Sequence, residues 1–135
     1  FAPGGASSGF LPARMADTPL DFRSLAAAGS MLGSGAVVVV AEDTCMLDLA
    51  LNVSRFFRNE SCGKCVPCRV GSEKIVVLLE HIRAGHGTEA DLALIDELAS
   101  TMMLTSICGL GQAPPNPILS VIKYFRDDIM RYISR

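Results

Sequence analysis

Four cysteines stand at a spacing that can do chemistry. Cys62, Cys65 and Cys68 form an unbroken C-x-x-C-x-x-C run, and Cys108 stands far downstream, with Gly109 and Gly111 just beyond it. A chain holds a cubane iron–sulfur cluster in this way: the tight run wraps one corner and a remote thiolate closes the cube. Such a centre moves electrons and breaks no bonds. It needs thiolates about 2.3 Å from metal, backbone N–H groups aimed at sulfur, and little water.

The neighbouring residue types suit those needs. Gly63 lets the chain turn between Cys62 and Cys65, and Pro67 stiffens the approach to Cys68. Gly109 and Gly111 let backbone come close beside Cys108. Lys64 and Arg69 either offset the negative charge of a thiolate-ligated cluster or are solvated loop charges. Structural zinc is the competing reading, but zinc sites usually use two separated C-x-x-C knuckles, whereas here three ligands crowd one run. Disulfides rank last. Five cysteines is an odd number, and the clustered spacing suits metal ligation in a reducing compartment, which points to the cytoplasm.

Other reactive side chains complete no site. Cys45, near a helix start, is read as a small buried residue, although a helix dipole there would lower its pKa. His81 and His86 complete no ligand set and are read as surface or boundary residues. The glycines of Gly29-x-x-x-Gly33-x-Gly35 precede an apolar run, whereas a dinucleotide fingerprint follows a strand and opens a helix, so that reading is rejected. Six methionines read as adaptable core packing. No Ser/His/Asp or paired-carboxylate arrangement suggests a catalytic centre.

The elements that must position the cysteines are mostly helical. Thr44 caps a helix over about 45–58, with Met46, Leu49, Ala50, Val53 and Phe57 on its buried face. The cysteine run follows as a loop. A second helix covers about 70–84, with Ile75, Leu78, Leu79 and Ile82 inward and Gly85 as its stop. Thr88–Asp91 resembles a capping box that opens a third helix, whose stripe is Leu92, Ile95, Leu98, Ala99 and Met102. After the Cys108 loop, Asn116 caps a fourth helix with Pro117 in its first turn, running through Ile118, Val121, Ile122, Phe125, Ile129 and Ile133 to the end. Upstream, Leu20–Ala28 suggests a short helix, and Ala36–Val40 reads as one strand whose sheet partners lie before Phe1. The fold class expected is mainly α: a small four-helix bundle over residues 44–135, preceded by a remnant over 1–43.

Composition sets the outer bounds. A chain of 135 residues suits one domain or one domain plus a piece of another, and half of its residues are apolar. A net charge of −2 argues against nucleic acid, which needs a basic face. Mean hydropathy is positive at +0.37. The longest apolar run, Ala36–Ala41, falls far short of the roughly 20 residues a membrane span requires. The excess apolar surface is therefore core or subunit interface. Phe1 is not a natural start and no signal peptide is visible, so the chain reads as a piece of a larger protein.

Residues Glu60 to Ser72 and Thr105 to Gln112 resemble the cluster loops of one family. It is the flavin-bearing, NADH-oxidising 51 kDa-type subunit of respiratory complex I and its soluble relatives. Leu32 to Val40 and the Phe56-Phe57 pair are also similar to segments of that family. The resemblance implies that 44–135 is the helical domain carrying one [4Fe-4S] cluster on Cys62, Cys65, Cys68 and Cys108. It implies that 1–43 is the tail of a β-grasp-like (ubiquitin-like) domain. In such subunits NADH reduces FMN by hydride transfer, and FMN passes electrons singly to the cluster. The FMN and NAD sites belong to an N-terminal part absent here. The implied partners are a 2Fe-2S thioredoxin-like subunit and a multi-cluster catalytic subunit. Within the family, Cys108 to Gln112 followed by Pro114 to Pro117 is more similar to the soluble enzymes than to complex I, and among those the wording of Cys65 to Ser72 is most similar to the β subunit of NAD-dependent molybdenum- or tungsten-containing formate dehydrogenases. The diaphorase subunit of NAD-linked hydrogenases comes next.

Overall fold

Helices start where a side chain or an extended residue can take over the first free backbone N–H groups. In the computed structural model, which describes residues 1–133, seven α-helical segments follow one another among the described residues. Asp21 opens α1 (Phe22–Ala27) by accepting from the Ser24 N–H at 2.7 Å. Cys45 and Cys65 are the extended residues before α2 (Met46–Glu60) and α3 (Val66–His81). Thr88 and Asp91 form a reciprocal capping box that opens α4 (Glu89–Thr105), as the sequence predicts. Then come α5 (Gly109–Gln112), α6 (Pro115–Tyr124) and α7 (Arg126–Met130).

The four longest helices, α2, α3, α4 and α6, make the bundle. Helix α2 lies against α3 and α6, and α4 lies against α3 and α6. Their apolar stripes meet in one core containing Leu47, Leu51, Ile75, Leu79, Ile95 and Ile118. Each fully buried side chain of this size is worth about 1.5–3 kcal/mol relative to exposure. The stripe on α3 follows from its spacing, since Ile75, Val76, Leu79 and Ile82 recur at helical intervals. Gly71 lets α3 and α4 close on each other: a β-carbon there would come within 2.6 Å of Met102 Cγ and Sδ.

The N-terminal segment is laid over this bundle. It contributes Ala2 and Phe10 to the same core. The Phe10 N–H donates to Ser120 Oγ at 2.7 Å, and Asn116 Nδ2 donates to the Ser7 carbonyl at 2.8 Å. Gly9, at φ +73, passes so close to α6 that a β-carbon would come 2.8 Å from the Asn116 carbonyl oxygen.

Four local expectations are corrected. Ala36–Val40 is not a strand: it makes one isolated bridge, Ala2 to Val38, with N–H···O distances of 2.8 and 2.9 Å. The other backbone groups of the run find no neighbouring strand among the described residues, so β-propensity alone does not make a ladder. Asn116 does not cap the last helix, because Pro114 precedes it and the Asn116 amide is committed to Ser7. That helix is not continuous either: Phe125, at φ −129 and ψ 36, breaks it into α6 and α7. Residues 134–135, the end of the expected helix, lie outside the described residues. The cysteine run, finally, is not all loop. Helix α3 begins at Val66 rather than near residue 70, because Pro67 fits a first helical turn, where its missing N–H costs nothing.

Candidate metal centre

The early start of α3 decides where the sulfurs go. Cys65 is its N-cap and Cys68 lies in its first turn, so two of the cysteines share the N-terminal end of one helix. That end carries unsatisfied N–H groups and the positive pole of the helix dipole, which favours negative charge such as thiolate. Cys62 stands before it in a turn that Gly63 makes possible at φ +74. Arg69 closes the turn by donating from Nη1 to the Gly63 carbonyl, so this cation is a structural clasp rather than a freely solvated charge. Lys64 is exposed.

The loop that carries Cys108 is brought against α3 by the α4–α5 corner. Cys108 is the extended residue before α5. Gly111 is buried against α3: a β-carbon there would come 2.6 Å from Ser106 Cβ and 2.9 Å from Cys68 Cβ. The expected close approach is thus made at Gly111. At Gly109 a β-carbon would meet nothing within 4 Å, which leaves open space beside Cys108. The Cys65 thiol is held below its ordinary pKa chiefly by a hydrogen bond from the Ile107 backbone N–H, then by that of Cys68, against an opposing effect of burial. The residue just before Cys108 therefore solvates the sulfur of Cys65. Cys68 is buried, Cys65 half-buried, and Cys62 and Cys108 exposed.

Two serines that sequence reasoning did not select complete the surroundings. Ser61 Oγ lies 3.3 Å from Cys68 Sγ and accepts from the Gly63 N–H at 3.3 Å. Ser106 is buried; its Oγ makes no hydrogen bond of ordinary geometry, and its side chain adds to the lowering of the Cys65 pKa. Their positions, directly before Cys62 and two before Cys108, were the available signal.

These residues fit a cubane cluster. Backbone N–H groups point at the Cys65 sulfur, and the buried Ser106 side chain acts on the same sulfur without making a hydrogen bond of ordinary geometry. Among the described residues no three Cys, His, Asp or Glu side chains converge as the ligands of one ion do. Four free thiols at this spacing are the donor set of a cube, in which each thiolate holds a different iron.

Cys45 belongs elsewhere. It is half-buried at the start of α2, with its Sγ 4.0 Å from the Tyr132 hydroxyl. His81 and His86 are exposed on the end of α3 and its terminal turn, their rings 5.5 Å apart.

The chain is similar to known proteins over almost its whole length. The chain is 42% identical over 131 residues to NADP-reducing hydrogenase subunit HndC of Solidesulfovibrio fructosivorans, covering 97% of this chain and 27% of that protein. It is 36% identical over 134 residues to the mitochondrial NADH-ubiquinone oxidoreductase 51 kDa subunit of Neurospora crassa, covering 98% of this chain and 27% of that protein. The chain thus spans less than a third of the length of these curated relatives. Among solved structures, a chain of an NAD+-reducing [NiFe]-hydrogenase in the H2-reduced state superposes with a TM-score of 0.81 at 32% identity, over 97% of this chain and 22% of that one. No helix among the described residues is long and apolar enough to cross a membrane. Residues 48–132, which include all four candidate ligands, match the model of the NADH-ubiquinone oxidoreductase-F iron-sulfur binding region, a [4Fe-4S] family to which this chain belongs.

Proposed function

We propose that this chain is the electron-relay part of an NAD-linked oxidoreductase subunit, with Cys62, Cys65, Cys68 and Cys108 as the ligands of its [4Fe-4S] cluster. The observation that carries the proposal is the packing of Gly111 on Cys68, together with the Ile107 N–H on the Cys65 sulfur. It joins the two distant parts of the cysteine pattern on one side of the bundle. When bound, the cluster supplies one-electron transfer between FMN, held in another part of the subunit, and clusters of a partner subunit.

The chain's own residues do the rest. Helix α3 presents its N-terminal dipole to the sulfurs, the Arg69 clasp holds the first turn, and burial of Cys68 keeps water from one side. These features set how easily an electron is taken up. The partners proposed are a 2Fe-2S thioredoxin-like subunit and a multi-cluster catalytic subunit, in the cytoplasm. Residues 1–43 are read as the end of a β-grasp-like domain, a reading supported by the likeness of Leu32 to Val40.

The finer reading, a formate dehydrogenase β subunit, rests on the wording of Cys65 to Ser72 and on the likeness of Cys108 to Gln112 and Pro114 to Pro117 to the soluble enzymes. The names of the relatives support hydrogenase and complex I versions of the same part. Iron and acid-labile sulfide analysis of anaerobically purified protein tests the relay reading. About four iron and four sulfide per chain, with a cubane EPR signal after dithionite reduction, supports it. Zinc without sulfide replaces it with a zinc-stapled structural module. Formate-driven against hydrogen-driven NAD+ reduction by the intact complex separates the subtypes.

A further inference from the structure

Ser106 is only 5% exposed; its Oγ makes no hydrogen bond of ordinary length and angle, and the group its side chain does act on is the Cys65 sulfur, whose pKa it helps to lower. Buried hydroxyls nearly always have a partner, so the destination of this proton calls for an explanation. The backbone around it is pinned. The Ser106 N–H donates to the Met102 carbonyl at 3.1 Å, and its carbonyl accepts from Gln112 Nε2 at 3.0 Å. The side chain therefore stays at the α4–α5 corner, two residues before Cys108.

Its neighbours define the direction it faces. The point that a Gly111 β-carbon would occupy is 2.7 Å from Ser106 Oγ and 2.9 Å from Cys68 Cβ. Hydroxyl and Cys68 thus flank the same spot, between α3 and α5. Ser61 is already engaged with Cys68 Sγ and the Gly63 N–H. Ser54, another buried hydroxyl without a hydrogen bond among the described residues, sits in the middle of α2 with no cysteine beside it in sequence.

We infer that Ser106 Oγ donates a hydrogen bond to sulfur of the [4Fe-4S] centre, thiolate or inorganic sulfide, and thereby makes the centre easier to reduce. The inference rests on the ligand reading above. A donor to sulfur stabilises the more electron-rich state, and such bonds are among the levers by which a protein sets a cluster potential. Ser106 touches no electron partner in this role, so it is a positioning and tuning residue.

The test uses the whole subunit in its complex. Ser106→Ala should retain the iron and sulfide content of the unaltered protein while its reduced EPR signal appears at lower potential. The expected effect is about a tenfold loss in the equilibrium constant for one-electron uptake, equivalent to about 59 mV. Ser106→Thr keeps a hydroxyl and should return the midpoint toward that of the unaltered protein. An unchanged midpoint in a fully loaded Ser106→Ala protein overturns the inference and leaves the ligand reading standing. Lack of iron and sulfide in the unaltered protein removes the ligand reading itself. Should Ser106→Ala lose the cluster, the decision passes to pulsed EPR after exchange into D2O. A solvent-exchangeable proton coupling that differs between the Ser106 protein and Ser106→Thr supports the inference, and its absence from both overturns it.

Discussion

Gly111 and Cys68 touch across the site: the β-carbon that alanine would add at Gly111 falls 2.9 Å from Cys68 Cβ and 2.6 Å from Ser106 Cβ. Neither neighbour is the free end of a flexible side chain, so α5 must move away from α3 to accept it. Overpacking of this kind costs about 1–3 kcal/mol. Gly111→Ala should lower the thermal midpoint and reduce iron per chain, because Cys108 is displaced with the corner. Gly109→Ala is the matched control, since its β-carbon meets nothing within 4 Å. Equal iron loading in Gly111→Ala and the unaltered protein would refute the packing argument.

Cysteine replacements should divide by position. Cys108→Ser should abolish or cripple cluster assembly and loosen the α4–α5 corner, because the proposed cluster ties two distant segments together. Cys45→Ser should leave iron and sulfide content unchanged, because Cys45 faces Tyr132 rather than the other cysteines. Metal analysis with the reduced EPR spectrum checks both. An unaltered cluster signal in Cys108→Ser would sink the ligand assignment.

The capping box at α4 makes a prediction independent of the metal. Thr88 Oγ1 accepts from the Asp91 N–H at 3.3 Å, and the Asp91 carboxylate accepts from the Thr88 N–H at 2.8 Å. Thr88→Ala removes one half of this exchange and should cost about 1 kcal/mol of stability. Denaturant unfolding measures it, and cluster content should not change.

The Asp48–Arg83 pair gives a pH dependence with a definite sign. The Arg83 guanidinium reaches both carboxylate oxygens, with Nη2 donating to Oδ2 at 3.2 Å, and holds the Asp48 carboxyl below the usual carboxylate range. A depressed folded-state pKa stabilises the fold above the unfolded value. That contribution is lost as pH falls through the folded one. Both side chains are largely exposed, so solvent screening keeps the contribution of the pair small. Asp48→Asn should therefore be less stable than the unaltered protein at neutral pH, and the gap should close in acid below the usual aspartate range. A gap that persists unchanged well below the usual aspartate range would show that the ion pair contributes nothing.

Much of this protein was legible in its residues because local rules suffice for it. The helical stripes of α2, α3 and α4 follow from apolar spacing, and the capping box follows from Thr88 and Asp91. The C-x-x-C-x-x-C run with a remote fourth cysteine suggested the cluster chemistry, since few other uses place three thiols at that interval. The tertiary structure decided what depends on contacts between distant segments. Val38 pairs only with Ala2, because a strand exists only where a second one offers its backbone. Asn116 serves Ser7 rather than a helix start, because the N-terminal segment crosses α6 at that point. The start of α3 at Val66 carries Cys68 into a helix, and the closeness of Gly111 to it sets Ser106 beside the sulfurs. A buried hydroxyl set against sulfur is a property of packing, and no spacing of residue types along the chain reveals it.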